Sequence, residues 1–319
     1  MAGLRWTCDD LIRYRGHWFD TSSLNPMIER LLLAYPSSTI FAIGGHSVVV
    51  HISPSIVAKV AAKAGDGRLR NEQKMFELFH QSQCQHIVKC FFRGIDVSFL
   101  ECLSQGTLHD RISMVFRTPR PVHHWMLQLS SAVAYVESLG YAHGDINPQN
   151  VLLDDNDGLK LIDFDHSLLI GDRLDVGYEP YVRQYRIGAK DEGGTFGVAG
   201  PTTEQYALGS MFWYMSRGTE LYAELEGPDR VDRLIDDIFP EVNLEDPIDK
   251  IIDNCWHGRY GRVADLLKDV EGIMGSTRKE QKLVDGSDEV EKRRICEEYY
   301  NSVTRPQEDL AVDNMDTDN

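Results

Sequence analysis

Between His143 and Asp165 the chain gathers side chains of one chemical kind. Asp145, Asn150 and Asp163 all present hard oxygen atoms, and the run between the last two reads as a pair of short apolar strands, Val151-Leu152-Leu153-Asp154 and Leu159-Lys160-Leu161-Ile162, around the turn Asp155-Asn156-Asp157-Gly158. Counting outward from that turn pairs Asp154 with Leu159, Leu153 with Lys160, Leu152 with Leu161 and Val151 with Ile162, so the next pair is Asn150 with Asp163. Directly opposed residues in an antiparallel ladder lie about 4.5–5.5 Å apart. An amide oxygen and a carboxylate at that separation suit Mg²⁺, which takes few protein ligands and completes its shell with water and phosphate oxygens. Asp145, five residues before Asn150, is close enough to serve the same site as a base. The plainer alternative for the same residues is a surface hairpin whose acids only keep it soluble.

Such side chains need elements to hold them. From Thr39 to Val60 the runs Val48-Val49-Val50 and Ile56-Val57-Ala58-Lys59-Val60, interrupted by Gly44-Gly45 and Ser53-Pro54-Ser55, predict a small antiparallel sheet in which Val57 and Lys59 share a face. A helix is expected from Arg70 to Phe79, then strands around Ile87-Val88 and Ser98–Glu101. Val122, Trp125, Met126, Leu129, Val133 and Val136 recur at helical spacing up to a stop at Gly140, and further helices follow from Glu204 to Ile273. Residues 1–38 form a helical preface with Met27, Leu31, Leu32 and Leu33 as its apolar stripe. Glu289–Tyr300 is a charged helix, read as a solvating segment, and Asp313–Asn319 is too polar to fold alone. Strand-rich sequence followed by helix-rich sequence favours an α+β chain of two unequal lobes, with a ligand between them.

Composition narrows the partners. In 319 residues, 33 Lys and Arg stand against 50 Asp and Glu, a formal charge of −17 that opposes nucleic acid and anionic membrane surfaces. The six cysteines, Cys8, Cys84, Cys90, Cys102, Cys255 and Cys296, lack zinc spacing and read as reduced thiols. No apolar run approaches the roughly 18–20 residues of a membrane span, and Met1–Asp10 has no signal-like core. A cytoplasmic or nuclear location is expected.

His143, Asp145 and Asn150 followed by Asp163-Phe164 resemble the catalytic loop and metal-binding motif of eukaryotic protein kinases, in particular divergent fungal kinase-like proteins with an HGD loop. The resemblance covers about residues 39–274. It implies the bilobal protein-kinase-like fold, with a small β-rich N-lobe at 39–103 and a larger helical C-lobe at 104–274, flanked by the preface and by a charged helix and acidic tail at 275–319. It also implies transfer of phosphate from ATP, with Mg²⁺, to a serine or threonine of a protein substrate. Asp145 is then the base, and Asn150 and Asp163 are the metal ligands. Lys59 matches the strand lysine that pairs with the α and β phosphates, and Glu72 matches its helix partner, with Glu77 as the competing candidate. Gly44 and Gly45 stand where a glycine-rich loop covers the phosphates. Leu100-Glu101-Cys102-Leu103 looks like the hinge, where the backbone of Glu101 and Leu103 meets adenine between Val57 and Leu152. Glu204–Gly209 resembles the start of a large-lobe helix, Glu replacing Asp, and Asn254-Cys255-Trp256 a late helix with a CW pair. His143 would pack beneath the loop without transferring protons.

Four departures qualify the match. Gly144 replaces an arginine that receives an activating phosphate, Asn147 replaces a lysine near the transferred group, Asp165 replaces the glycine after Asp-Phe, and Ala199-Gly200-Pro201 runs almost directly into Glu204 where an APE sequence would stand. Three other functions compete. One is a pseudokinase that binds nucleotide or a partner and signals by shape. Another is a small-molecule kinase of the aminoglycoside or choline type. The third is a phosphatase of the haloacid-dehalogenase type built on Asp163-Phe164-Asp165.

Overall fold

The computed structural model describes residues 24–35, 37–80, 84–114, 119–184, 194–274 and 286–304. In chain order the elements are α1 (Pro26–Ala34), β1 (Thr39–Ile43), β2 (Ser47–Ser53), β3 (Ile56–Ala61), α2 (Gly67–Phe79), β4 (Cys90–Gly94), β5 (Val97–Glu101), α3 (Leu108–Ser113), α4 (Val122–Ser138) and β6 (Tyr141–Ala142). There follow β7 (Val151–Leu153), β8 (Leu159–Leu161), a 3-10 turn (Phe164–His166), β9 (Leu168–Leu169), α5 (Pro201–Arg217), α6 (Gly227–Ile235), α7 (Pro247–Trp256), α8 (Val263–Met274) and α9 (Gly286–Thr304). They form two compact units. One takes the described residues up to Gln73, Lys89–Cys102 and α9; the other takes Lys74–Val88 and the described residues from Leu103 to α8.

The first unit is built on an antiparallel sheet in the order β1-β2-β3-β5-β4. β3 lies inside it, paired on both edges, and every residue of the strand is buried. That is why its sequence is a continuous apolar run with one charge, and not an alternating one. α1 starts where the Asn25 side chain accepts the Met27 N–H (3.0 Å) with Pro26 in the first turn. Its buried stripe is Met27, Ile28, Leu31 and Leu32, whereas Leu33, expected in the stripe, is 67% exposed. The hundred-degree step between residues carries Leu33 off the face that Leu31 and Leu32 bury.

α9 overturns the expectation of a purely solvating helix. Its outer face carries ion pairs such as Lys292 with Asp288 and Arg294 with Glu291 and Glu298. Its inner face places Cys296 and Val303 in the same buried cluster as Ile28, Leu31, Val50, Val97 and Phe99, with Ile295, Tyr299 and Tyr300 packed at the margin. Tyr300 Oη accepts the Ile95 N–H (3.1 Å), and Tyr299 meets Tyr35 edge-on at 4.5 Å between ring centroids. The tail Asp313–Asn319 lies outside the described residues.

The second unit is helical around α4, which packs against α5, α8 and β8, while α5 packs on α7. Of the apolar positions picked from the sequence, Trp125, Met126, Leu129, Val133 and Val136 are buried and Val122, at the helix start, is half-buried; Gly140 follows the helix at φ 84°. The strand expected at Ile87-Val88 is displaced. Ile87 makes an isolated bridge to Leu161, and Val88 N–H donates to Leu161 O (3.0 Å), so these residues edge β8 while the sheet strand of the first unit is Cys90–Gly94. Close approach of α5 and α7 depends on Gly209, where a Cβ would sit 2.8 Å from Cβ of Cys255 and 3.0 Å from the Trp256 ring. No helix among the described residues is long and apolar enough to cross a membrane.

Candidate active site

The hairpin carrying the candidate metal ligands closes more tightly than a turn of Asp155–Gly158 allows. Val151 pairs with Leu161, Leu152 with Lys160 and Leu153 with Leu159, and Asp154 N–H donates to Gly158 O at 2.9 Å. The loop is therefore Asp155-Asn156-Asp157, with Asp157 left-handed at φ 64°, the conformation that closes a three-residue hairpin. Its causes are side chains. Asp154 Oδ1 accepts the N–H groups of Asn156 and Gly158, each at 2.8 Å. The Asp157 carboxylate is held in a fork by buried Arg111, with Nε at 2.9 Å and Nη2 at 2.8 Å, while Trp125 Nε1 donates to Asp157 O at 2.8 Å. Asn150 consequently stands across from Ile162, whose N–H donates to Asn150 O (3.0 Å), and not across from Asp163. This corrects the ladder pairing expected from the sequence. Asp163 lies beyond the ladder at φ 67°, ψ 65°, where a left-handed residue turns the chain from β8 into the Phe164–His166 turn.

The loop before the hairpin is organised from below by two buried groups. His143 Nδ1 accepts the Asp145 N–H (3.2 Å), which leaves the ring proton on Nε2 to donate to Ile162 O (2.9 Å). Its ring meets Phe164 at 4.9 Å, and Phe164 meets Phe79 at 4.8 Å. From α5, Glu204 accepts the N–H groups of His143 (2.8 Å) and Gly144 (3.2 Å). Burial pushes the Glu204 carboxyl up, against the opposing pull of His143 and those two donors. Gly144 is left-handed at φ 81°, and a Cβ there would lie 2.8 Å from Leu168 Cδ2 and 2.9 Å from His166 O. No arginine fits in this backbone.

On that support Asp145 is half-buried and its carboxylate is held at both oxygens. Asn150 Nδ2 donates to Asp145 Oδ2 (2.8 Å) and to the Asp145 carbonyl (2.9 Å), and Asn147 Nδ2 donates to Asp145 Oδ1 (3.0 Å). Asn150 Oδ1 then has no donor among the described residues and is available to a cation. Asn147 entered the sequence reading only as an absent lysine. Its grip on Asp145 was missed, although an asparagine two residues past an aspartate can fold back onto it. Asp165 lies in the 3-10 turn without a positive φ, so the conformational freedom of the glycine it replaces is not used, and its Oδ1 is 3.7 Å from His166 Nε2.

In the first unit, Lys59 sits mid-strand on β3 opposite Val49 and Ser98, and its Nζ donates to Glu72 Oε1 of α2 at 2.9 Å. Both side chains are buried, Glu72 at 1%, while Glu77, the other candidate partner, is exposed. In this buried setting the loss of one member would be costly to the other, so each holds the other in place. Val57 is buried between His51 and Leu100. Gly44 and Gly45 turn β1 into β2, with Gly44 N–H on Ser47 O (2.8 Å); neither is left-handed, and a Cβ on Gly45 would meet nothing within 4 Å. Glu101 closes β5, its N–H on Lys89 O (3.0 Å) and its carboxylate on Lys89 N–H (2.7 Å).

In the second unit, the Leu103 side chain is buried, and neither its backbone N–H nor its C=O is hydrogen-bonded among the described residues. Leu152 is half-buried on β7 and bridges to Thr107. The segment after Asp163 folds back on itself, with Leu174 N–H on Gly197 O (2.9 Å) and Ala199 N–H on Asp172 O (2.8 Å), so that Gly200 leads directly into α5.

Known proteins similar to this chain are kinases. The chain is 36% identical over 149 residues to the maternal embryonic leucine zipper kinase of Xenopus laevis, a match covering 43% of this chain and 23% of that protein. It is 28% identical over 163 residues to the NUAK family SNF1-like kinase 1 of Homo sapiens, covering 48% and 24%. To the CBL-interacting serine/threonine-protein kinase 20 of Arabidopsis thaliana it is 26% identical over 183 residues, covering 49% and 40%. The chain thus spans less than half the length of these curated relatives. The family model of the protein kinase domain matches residues 51–270, from β2 into α8 and more than half of the sequence, and on that match the chain belongs to the protein kinase domain family.

Proposed function

We propose that this chain transfers the γ-phosphoryl group of ATP to a serine or threonine hydroxyl of a protein substrate. The observation that carries the reading is the Asn150 side chain, which spends both amide hydrogens on Asp145 and turns its oxygen away from it, so that one residue braces the base and offers a metal ligand. The names of the relatives, all kinases, support the same chemistry. In this mechanism an Asp145 oxygen takes the hydroxyl proton as the substrate oxygen bonds to phosphorus and the bridging oxygen leaves with the nucleoside diphosphate. Asn150 Oδ1 and Asp163 would hold the divalent cation; one amide oxygen and one carboxylate are the sparse, hard donor set that suits Mg²⁺. Bound there, Mg²⁺ would offset charge on the phosphate oxygens. Lys59, aimed by Glu72, binds the α and β phosphates, and the backbone at Gly44 and Gly45 covers them. In the second unit, the unspent backbone groups of Leu103 and the Leu152 side chain are the candidates to meet adenine; in the first unit, the candidates are Glu101 and Val57.

Transfer of labelled phosphate to generic protein substrates tests this. Asp145→Asn is expected to lower kcat about 10²–10⁴-fold while MgATP still raises the melting temperature, and Lys59→Met to weaken that nucleotide-dependent rise. Equal background in wild type and Asp145→Asn would favour the second reading, a nucleotide-binding scaffold, which Asn147 and Asp165 motivate. Transfer to small alcohols or amines in preference to proteins would favour a small-molecule kinase.

A further inference from the structure

Asn147 occupies the position where a lysine would face the transferred phosphate, and the structure gives it other work. We propose that Asn147 is a positioning residue for Asp145, the second arm of a two-asparagine clamp that holds the base at both carboxylate oxygens. The proposal rests on the reading of Asp145 as the base.

The two arms are nearly symmetric. Asn150 Nδ2 reaches Asp145 Oδ2 (2.8 Å) and the Asp145 carbonyl (2.9 Å); Asn147 Nδ2 reaches Asp145 Oδ1 (3.0 Å) and the same carbonyl (3.2 Å). The terminal torsion of an aspartate is soft, and a single hydrogen bond leaves the second oxygen free to swing. Bonds to both oxygens set the plane of the carboxylate, and each oxygen keeps a further lone pair for the incoming proton. Orientation of a reacting group within a fraction of an ångström is a large part of what positions a phosphoryl acceptor.

The arms differ at their oxygens. Asn147 Oδ1 accepts the Gln149 N–H (2.9 Å), which fixes which end of its amide faces Asp145 and removes it as a metal ligand, whereas Asn150 Oδ1 is left for the cation. Asn147 is also 3% exposed, and its carbonyl accepts the Asn150 N–H (3.1 Å), so the two arms are tied to each other. A lysine here has no acceptor for the Gln149 N–H and would have to bring an ammonium group into a buried site. A bond to the base has taken the place of a cation facing the phosphate.

The test uses the full chain with isotope-labelled asparagine. In wild type the side-chain amide protons of Asn147 and Asn150 exchange with solvent about tenfold or more slower than those of exposed asparagines, and Asp145→Ala, which removes the carboxylate and keeps the carbonyl, speeds exchange at both residues. Exchange of the Asn147 amide at the exposed rate would overturn the proposal whether or not the protein turns over. In the transfer assay Asn147→Ala lowers kcat about tenfold or more, with KM for ATP within about twofold of wild type, and Asn147→Ser, which retains a short donor, recovers part of the loss. An unchanged kcat, or a loss shared alike by kcat, KM and melting temperature, counts against positioning. So does an Asn147→Lys protein faster than wild type, the result that a merely missing cation predicts. If wild type transfers no phosphate, the kinase reading fails, while the amide exchange still decides the clamp.

Discussion

Glu204 meets the backbone of His143 and Gly144 in the candidate loop, and Gly144 and Glu204 each explain the other. Two successive N–H groups can converge on one carboxylate because Gly144 is left-handed, and the carboxylate tolerates burial because those donors face it. Any side chain at 144 would approach the Leu168 methyl and the His166 carbonyl within 3 Å, so Gly144→Ala is expected to cost about 2–4 kcal/mol in a urea titration. The same crowding has a regulatory consequence. With no cation at this position to receive a phosphate, phosphatase treatment is expected to leave the rate within about twofold, and a large loss would contradict it. The candidate residues of this loop stand out in the sequence by type and spacing; the reason for glycine at 144 does not, because the clash partners lie more than twenty residues away.

The hairpin β7–β8 shows how an element is placed by groups outside it. Arg111 on α3 and Trp125 on α4 converge on Asp157, and this sets the shorter loop and hence which residue faces Asn150. Arg111→Ala would leave the Asp157 carboxylate without its fork, with an expected loss of about 2–4 kcal/mol and reduced hydrogen-exchange protection across β7 and β8. Beside β8, burial pushes His86 down to about 4 from its ordinary 6.5, with lesser contributions from Lys160 and His124. The unfolded chain therefore takes up a proton below pH 6.5 that the folded chain refuses down to about pH 4, so stability is present above that window and falls as pH drops through it. With partial solvent access discounted, the loss from pH 7 to pH 5 through this group is about 1–2 kcal/mol, and denaturant titrations should show a smaller pH difference in His86→Gln than in wild type.

At the scale of the molecule, the segment most distant in sequence completes the smaller unit. α9 supplies Cys296 and Val303 to the cluster under the sheet, and Lys89 pairs with Glu289 at 3.2 Å while its own backbone bonds Glu101. Removing residues 286–304 should expose that cluster, lower stability by about 3–5 kcal/mol and raise binding of a hydrophobic dye; Tyr300→Ala should give a smaller loss of the same kind. An unchanged melting temperature after the truncation would show that the sheet holds without α9. The sequence presented this helix as charged along its length, because its few apolar residues are too sparse to form a stripe that stands out from the Glu and Arg around them.

Residue type and local spacing alone determined the α+β class, the strand-then-helix order and the membership of the family, since a buried central strand, a long apolar helix face and the His143–Asp165 run are each written in contiguous residues. Only the tertiary structure decided the register of the hairpin, the choice of Glu72 over Glu77 as the partner of Lys59, the second hand of Asn147 on Asp145, and the lodging of α9. The physical reason is common to most of these. Each turns on a hydrogen bond, an ion pair or a packing contact between groups that the chain brings together only after folding, and neither periodicity nor composition encodes which distant partner will arrive.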